Sequence, residues 1–348
     1  MRKATNRGVL TGVFCLAVLL ASSATNPDST TKQSIFDQLS GREVTDVTIV
    51  LNLSELTQNK FDTLEHKGEL TFTDLNGEEQ SWDIKAALRG KFRRSKCSGI
   101  PPLKLKFKKK HLKIAGLAKY NDMKLVNYCV EDQEEARDYL LREFLIYKLY
   151  NELTDASFRV QLLRIRYVDA ESGDSREQMG FLIEDTAQLR ARLNAQKSKS
   201  DYAIYADDFD QNHRKMAALF QYLIGNADWE LTSSKNVKYV LRDEKIIPVP
   251  YDFDFAALVK PSYARLNSSL GQTNIEQRFY LGFEENLDEL EEVLSFYKKK
   301  RKAMVQTIKN FKLLQGKSRR YMVAYLNSFY WQLDEGMQFG PKTTAVGK

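Results

Sequence analysis

Four polar residues in the second half of the chain have the types and spacing needed for phosphate and metal chemistry. Asp252 and Asp254 are two positions apart, so on an extended segment their side chains point the same way. Together with Asn236 they supply hard oxygen ligands, which Mg²⁺ accepts alongside phosphate oxygens. Asp228 would then orient or deprotonate an attacking hydroxyl group. The alternative is structural, with the aspartates capping turns and the asparagine opening a strand.

Helices and strands predicted around these residues place them at element ends. The apolar periodicity predicts a helix over 210–224, and Gly225 is its stop. A short hairpin is predicted over 236–249. Polar groups on loops between such packed elements are well placed to face a shared cleft.

The remaining pattern predicts an α+β fold. Alternating apolar residues predict strands in the N-terminal third, including a hairpin around Asn76-Gly77. A long helix is predicted to begin at Asp132 and to run to about Leu153, and the chain after about Asn286 is predicted to be helical. Strands that come first, followed by mostly helices, are typical of α+β proteins.

The composition is that of a folded globular protein, and it excludes several classes of function. With 43% hydrophobic and 28% charged residues, wholesale disorder, collagen-like and coiled-coil structures are excluded. Only 3 His and 3 Cys are present, so zinc sites built from these residues are nearly excluded. The net charge is +7, but the basic run 108–113 has no interleaved aromatic residues. We therefore expect no nucleic-acid partner.

The N-terminus has the order of a secretory signal peptide. Basic residues at 2–7 precede an apolar run at 9–21 and small residues up to Ala24, after which we predict cleavage. The apolar run is shorter than the roughly 20 residues that a membrane-spanning helix needs. We predict export to the periplasm or the extracellular space, and a mature chain without a transmembrane segment.

The predicted mature chain keeps two cysteines, Cys97 and Cys129. In an oxidising compartment they could form one disulfide, which would restrict the unfolded chain. The alternative is two separate buried thiols. The predicted export favours the disulfide.

The order of the polar residues resembles the catalytic and metal-binding loops of the CotH kinase-like family, within the protein-kinase-like superfamily. The resemblance covers about 88 to 263. Five short stretches carry it: Leu88-Arg89-Gly90, Lys104-Leu105-Lys106-Phe107, Leu141-Arg142-Glu143, Asn226-Ala227-Asp228 and Asp252-Phe253-Asp254.

This resemblance implies an atypical protein-kinase-like, two-lobed fold with an added β-rich N-terminal region. The predicted boundaries are 1–24 for the signal peptide, 25–43 for a flexible N-terminus, 44–98 for the β-rich region, 99–185 for a kinase-like N-lobe and 186–348 for a helical C-lobe.

The resemblance also implies roles for individual residues. Asp228 would be the acidic residue of the catalytic loop and would act as the base, and a magnesium ion would be held by Asp252 with Asn236 or Asp254. The phosphates would also be cradled by Arg89-Gly90 and neighbouring basic residues.

Nucleotide binding would fall to a second set of residues. A strand lysine should pair with the phosphates and with Glu143; Lys104 ranks first, and Lys106 and Lys124 stay open. Glu184 lies in the stretch that would face adenine.

The function implied is phosphate transfer from a magnesium nucleotide, ATP or another, to an unknown protein, envelope or small-molecule acceptor. Asp228 and Asn236 are eight positions apart, whereas the protein-kinase pattern has five, and Asp254 replaces a glycine. The alternative is a non-catalytic cell-envelope interaction protein that binds a partner through its β-rich N-terminal region.

Overall fold

A computed structural model describes most of the chain. The described residues are 1, 32–58, 61, 63–96, 99–128, 130–198, 205–284 and 286–337. The predicted signal peptide beyond residue 1 and both cysteines of the predicted disulfide, Cys97 and Cys129, lie outside them. The secondary structure belongs to a compact unit that begins at Gln33. Within the segment 25–43, for which the sequence predicts flexibility, Ile35–Leu39 form a helix capped by Ser34.

Seven strands close into a barrel in the order β1-β2-β3-β4-β5-β7-β6. The neighbours β1 and β6 are parallel, and all the other pairs are antiparallel. Apolar residues alternate along the strands, and their inward-facing members fill the barrel. The strands are β1 (Thr45–Leu51), β2 (His66–Thr73), β3 (Glu79–Leu88), β4 (Leu103–Phe107), β5 (Asp122–Val126), β6 (Val160–Asp169) and β7 (Ser175–Ile183).

Helices cover one wall of the barrel. On β6, Leu163 faces the barrel interior, whereas Leu162 belongs to the core shared with the helices, so this strand is apolar on both faces. A small sheet in the order β10-β9-β8 follows the barrel. The remaining elements are α1 (Ile35–Leu39), α2 (Leu53–Gln58), α3 (Lys91–Lys96), α4 (Lys109–Ile114), α5 (Gln133–Asn151), α6 (Thr186–Arg192), β8 (Gln196–Lys197), α7 (Gln211–Ile224), β9 (Val237–Arg242), β10 (Lys245–Pro250), α8 (Glu291–Asn310) and α9 (Gly316–Glu335). Within the described ranges, none of these helices has the length and apolarity required to cross a bilayer.

The predicted two-lobed protein-kinase-like fold with an added β-rich region is wrong. Strands β1 to β3, assigned to the added region, and β4 to β7, assigned to the N-lobe, form one closed barrel. The closure depends on the parallel pairing of β1 with β6, for example of Val47 with Ile165. Local periodicity predicts each strand, but it carries no information about such a distant pairing.

Candidate functional site

The segment 251–254, directly after β10, is the centre of the polar site. The N–H of Asp252 donates a hydrogen bond to the hydroxyl of Tyr147 on α5 over 2.9 Å. Phe253 is fully buried, with its ring centroid 4.8 Å from that of Tyr147. This aromatic anchor fixes the two flanking carboxylates, Asp252 and Asp254, between the barrel and the helices.

Asn236 connects this segment to Asp228. The carbonyl of Asn236 accepts a hydrogen bond from the N–H of Tyr251 over 3.0 Å. Its side-chain amide donates to the carbonyl of Asp228 over 2.6 Å and to the Asp228 carboxylate over 3.1 Å. Asn236 and Asp252 both have positive φ, 54° and 65°, a conformation that non-glycine residues adopt rarely and often at functional sites. One asparagine therefore holds both Asp228 and the backbone of the 251–254 segment.

Asp228 lines a surface recess of about 340 Å³. It follows Gly225, whose positive φ of 65° ends α7 as the sequence predicts. Asp228 forms an ion pair with Lys235 at 2.5 Å, and 37% of its side chain is exposed. Ser268 and Ser269 are among the residues that line the same recess. Its carboxylate is thus ordered by its neighbours yet open to a second molecule.

The guanidinium of Arg93 is surrounded by three carboxylates. It contacts Glu143 at 2.9 Å, Asp254 at 3.0 Å and Asp252 at 3.4 Å. The ring centroid of Tyr128 lies 4.6 Å from the guanidinium carbon, and the Tyr128 hydroxyl donates to Glu143 over 2.7 Å. We call these five residues the Arg93 cluster.

Burial dominates the electrostatics of the Arg93 cluster. It raises the pKa of Asp254 to about 7 and also raises the pKa of Glu143, although Arg93 opposes both shifts. Burial on its own would lower the pKa of Arg93, but Asp254 and Glu143 more than offset this and raise it. Arg93 therefore stays charged, whereas burial brings the pKa of Asp254 towards neutral pH.

Lys124, on β5, forms the centre of a group of cations. Its ammonium nitrogen lies 4.3 Å from the ring centroid of Tyr251, and the ammonium nitrogen of Lys238 lies 5.3 Å from the same ring. Burial, together with the charges of Arg89 and Lys238, lowers the pKa of Lys124 to about 7. Among the described residues, no carboxylate forms an ion pair with Lys124. We call Arg89, Lys124 and Lys238 the cation cluster.

The other two candidate lysines have acidic partners on the barrel surface. Lys104 forms an ion pair with Asp122 at 2.7 Å, and Lys106 pairs with Glu65. Neither contacts Glu143, whose cationic partner is Arg93 instead of a lysine. Of the three lysines, the structure brings only Lys124 to the 251–254 segment.

Glu184 lies in a structural ion-pair network. Its side chain is fully buried and contacts Arg159 at 3.0 Å and Arg192 at 2.6 Å. It also accepts a hydrogen bond from the N–H of Arg159 over 2.8 Å. Both carboxylate oxygens are therefore engaged in joining β6, β7 and α6, and none is directed at a ligand.

The predicted magnesium donors do not form a metal site with one another. Arg93 binds Asp252 and Asp254 simultaneously, so the space between these carboxylates holds a guanidinium. Asn236 uses its amide nitrogen to bind Asp228. The described part of the chain contains no group of three or more His, Cys, Asp or Glu side chains placed to hold a metal ion. With the Arg93 guanidinium between them, Asp252 and Asp254 do not fit a shared magnesium ion.

Several residues of the site are absent from the sequence-based prediction. Arg93, Lys238 and the two tyrosines that hold the 251–254 segment and the guanidinium, Tyr147 and Tyr128, have no motif of their own. The only available signal is the basic stretch after Leu88, which contains Arg93 but does not single it out.

Comparison with known proteins identifies no relative, so the site is interpreted from its own geometry. No protein-family model and no curated protein matches the chain. The likeness to the CotH kinase-like family stays a prediction from the sequence.

Proposed function

We propose that the protein binds the phosphate groups of a nucleotide or a similar phosphorylated ligand at the cation cluster. The supporting observation is that Lys124 is partly buried beside Arg89 and Lys238 without an acidic side chain in ion-pair contact among the described residues. Holding like charges together in a partly desolvated place is costly unless an anion joins them. A phosphate group would supply that anion, and it would raise the pKa of Lys124 again.

Replacing Lys124 by methionine is expected to weaken the binding of ATP or pyrophosphate by at least about tenfold, because a charge-assisted hydrogen bond contributes roughly 1.5–3 kcal/mol. Isothermal titration calorimetry measures the change. The matched control is Lys104→Met. Lys104 lies opposite Lys124 on the neighbouring strand, but it already forms an ion pair with Asp122. Equal affinities for the two variants would refute the phosphate site.

A second candidate function is phosphoryl transfer from the bound ligand to an acceptor hydroxyl. The observation that favours it is the partly exposed carboxylate of Asp228, which lines its recess and is linked through Asn236 to the 251–254 segment. Asp228 would take the proton of the acceptor hydroxyl while the acceptor oxygen bonds to phosphorus and the bond to the leaving phosphate breaks. The cation cluster would hold the charge of the departing phosphate groups.

This second function predicts a separation of binding from turnover. Asp228→Asn is expected to lower the rate of ATP turnover by roughly 10²- to 10⁴-fold, the usual contribution of a general base, without altering ATP affinity by more than about twofold. Labelled γ-phosphate release or self-phosphorylation provides the measurement. Asp243→Asn, at an exposed turn, is the control. Turnover that survives in Asp228→Asn at the rate of the control would exclude Asp228 as the base.

A further inference from the structure

A side chain of the protein occupies the position where the sequence predicts a metal ion. One nitrogen of Arg93, Nη2, contacts both Glu143 and Asp252, and Nε contacts Asp254. We propose that the Arg93 guanidinium is a built-in cation that replaces a divalent metal ion among these carboxylates, so that phosphate ligands bind at the cation cluster without metal. The last part of this inference rests on the proposed function, whereas the replacement of the metal does not.

The packing of Arg93 argues against its displacement by a metal ion. Only 10% of its side chain is exposed, and the guanidinium lies against the ring of Tyr128 at 4.6 Å. A dication at the same carboxylates would either be next to this fixed positive charge or drive the guanidinium out of all three ion pairs. Breaking buried ion pairs in this way is strongly unfavourable.

The charge balance of the Arg93 cluster indicates that the carboxylates would accept a stronger cation if the guanidinium were removed. One guanidinium serves three carboxyl groups, and burial raises the pKa of two of them, Asp254 and Glu143, in spite of it. The second oxygen of Glu143, Oε1, is buried and has no hydrogen-bond partner among the described residues. Removing Arg93 would leave several hard oxygen donors without a cation, which is the donor chemistry that Mg²⁺ and Mn²⁺ prefer.

Arg93 would then act as a positioning residue for phosphate binding. Asp252 is 37% exposed, and its charge acts on Lys124 without forming an ion pair with it. By holding one side of the Asp252 carboxylate, the guanidinium keeps this acid from neutralising the cation cluster. The cation cluster therefore remains available to bind the phosphate of the ligand.

The metal replacement is tested by Mn²⁺ binding, followed by electron paramagnetic resonance. The native protein is expected to bind no Mn²⁺ at the Arg93 cluster at about 1 mM, whereas Arg93→Ala should gain at least about tenfold in affinity. The gain should disappear in Arg93→Ala combined with Asp252→Ala. Arg164→Ala, which removes an exposed arginine of the ion pair with Asp46, is the control and should leave Mn²⁺ binding unchanged. Native Mn²⁺ binding that Asp252→Ala abolishes would overturn the proposal.

The metal-independent binding is tested on the native protein with pyrophosphate as the probe. Its affinity in the presence of EDTA is expected to equal that in magnesium within about twofold, whereas a tenfold loss in EDTA would overturn the inference. Arg93→Lys keeps a charge but not the forked donor geometry, so it should weaken pyrophosphate binding and still exclude Mn²⁺. Unchanged pyrophosphate affinity or Mn²⁺ uptake in this variant would contradict the role proposed for Arg93. Pyrophosphate that does not bind under either condition would overturn the proposed function and leave the Mn²⁺ experiment decisive for the metal replacement.

Discussion

Raising the pH from 7.5 to 9 is expected to weaken ATP binding by roughly twentyfold. The reason is that the pKa of Lys124 in the free protein is lowered to about 7, first by burial and then by Arg89 and Lys238. An anion binds the protonated amine, so affinity follows the protonated fraction of Lys124 and falls as the pH rises above this pKa. ATP is a suitable probe because phosphate groups with a pKa near about 6 are already ionised throughout this range.

The groups facing Lys124 determine the sign of this effect. Arg89 and Lys238 favour the neutral amine, whereas Asp252 and Asp122 favour the charged form. The cations and burial prevail, so the amine of the free protein loses its proton well below the usual range of a lysine. A bound phosphate reverses the balance and raises the pKa of Lys124, which is why binding should take up a proton above neutral pH.

The matched variant for the pH experiment is Lys124→Arg. A guanidinium stays charged up to pH 9, so ATP affinity in this variant should be nearly independent of pH over the same range. Titration calorimetry at several pH values in buffers of different ionisation enthalpy would give both the affinity and the proton uptake. The assignment to Lys124 fails when native protein and Lys124→Arg give the same slope, or when native affinity rises with pH.

The sequence predicts local features of this molecule well and long-range contacts poorly. Asp132 begins α5 and Gly225 ends α7 because capping and left-handed termination depend on neighbouring residues alone. Barrel closure by β1 and β6 depends on residues far apart, and the resemblance to a two-lobed fold pointed to the wrong assembly. Local signals therefore identify the elements but not their arrangement.

The same limit applies to the candidate site. The acids Asp228 and Asp252 and the amide of Asn236 are marked by their position at element ends, and in the structure Asn236 links Asp228 to the backbone beside Asp252. The choice between Lys104 and Lys124 could not be made from the sequence, because both face outward from paired positions of neighbouring strands. What separates them is the ring of Tyr251, which reaches Lys124 from a distant hairpin.

Replacing Glu284 by alanine is expected to lower the free energy of unfolding by about 3–5 kcal/mol. Glu284 forms an ion pair with Arg214 of α7 at 2.6 Å, and both side chains are buried. The hydroxyl of Tyr280 also donates to the Glu284 carboxylate over 2.5 Å. Alanine would leave a buried guanidinium without its carboxylate and a buried hydroxyl without its acceptor, and both losses are costly. Urea denaturation followed by far-ultraviolet circular dichroism gives the change.

Two controls separate the buried charge from the loss of side-chain volume and from ion pairs in general. Glu284→Gln keeps an acceptor for Tyr280 but removes the charge opposite Arg214, so its stability should lie between those of the native protein and the alanine variant. Asp46→Ala breaks the exposed pair with Arg164 and should cost less than about 1 kcal/mol. A loss in Glu284→Ala as small as that in Asp46→Ala would mean that water reaches Arg214. In that case α7, which leads directly to the Asp228 loop, would be held by its apolar face alone.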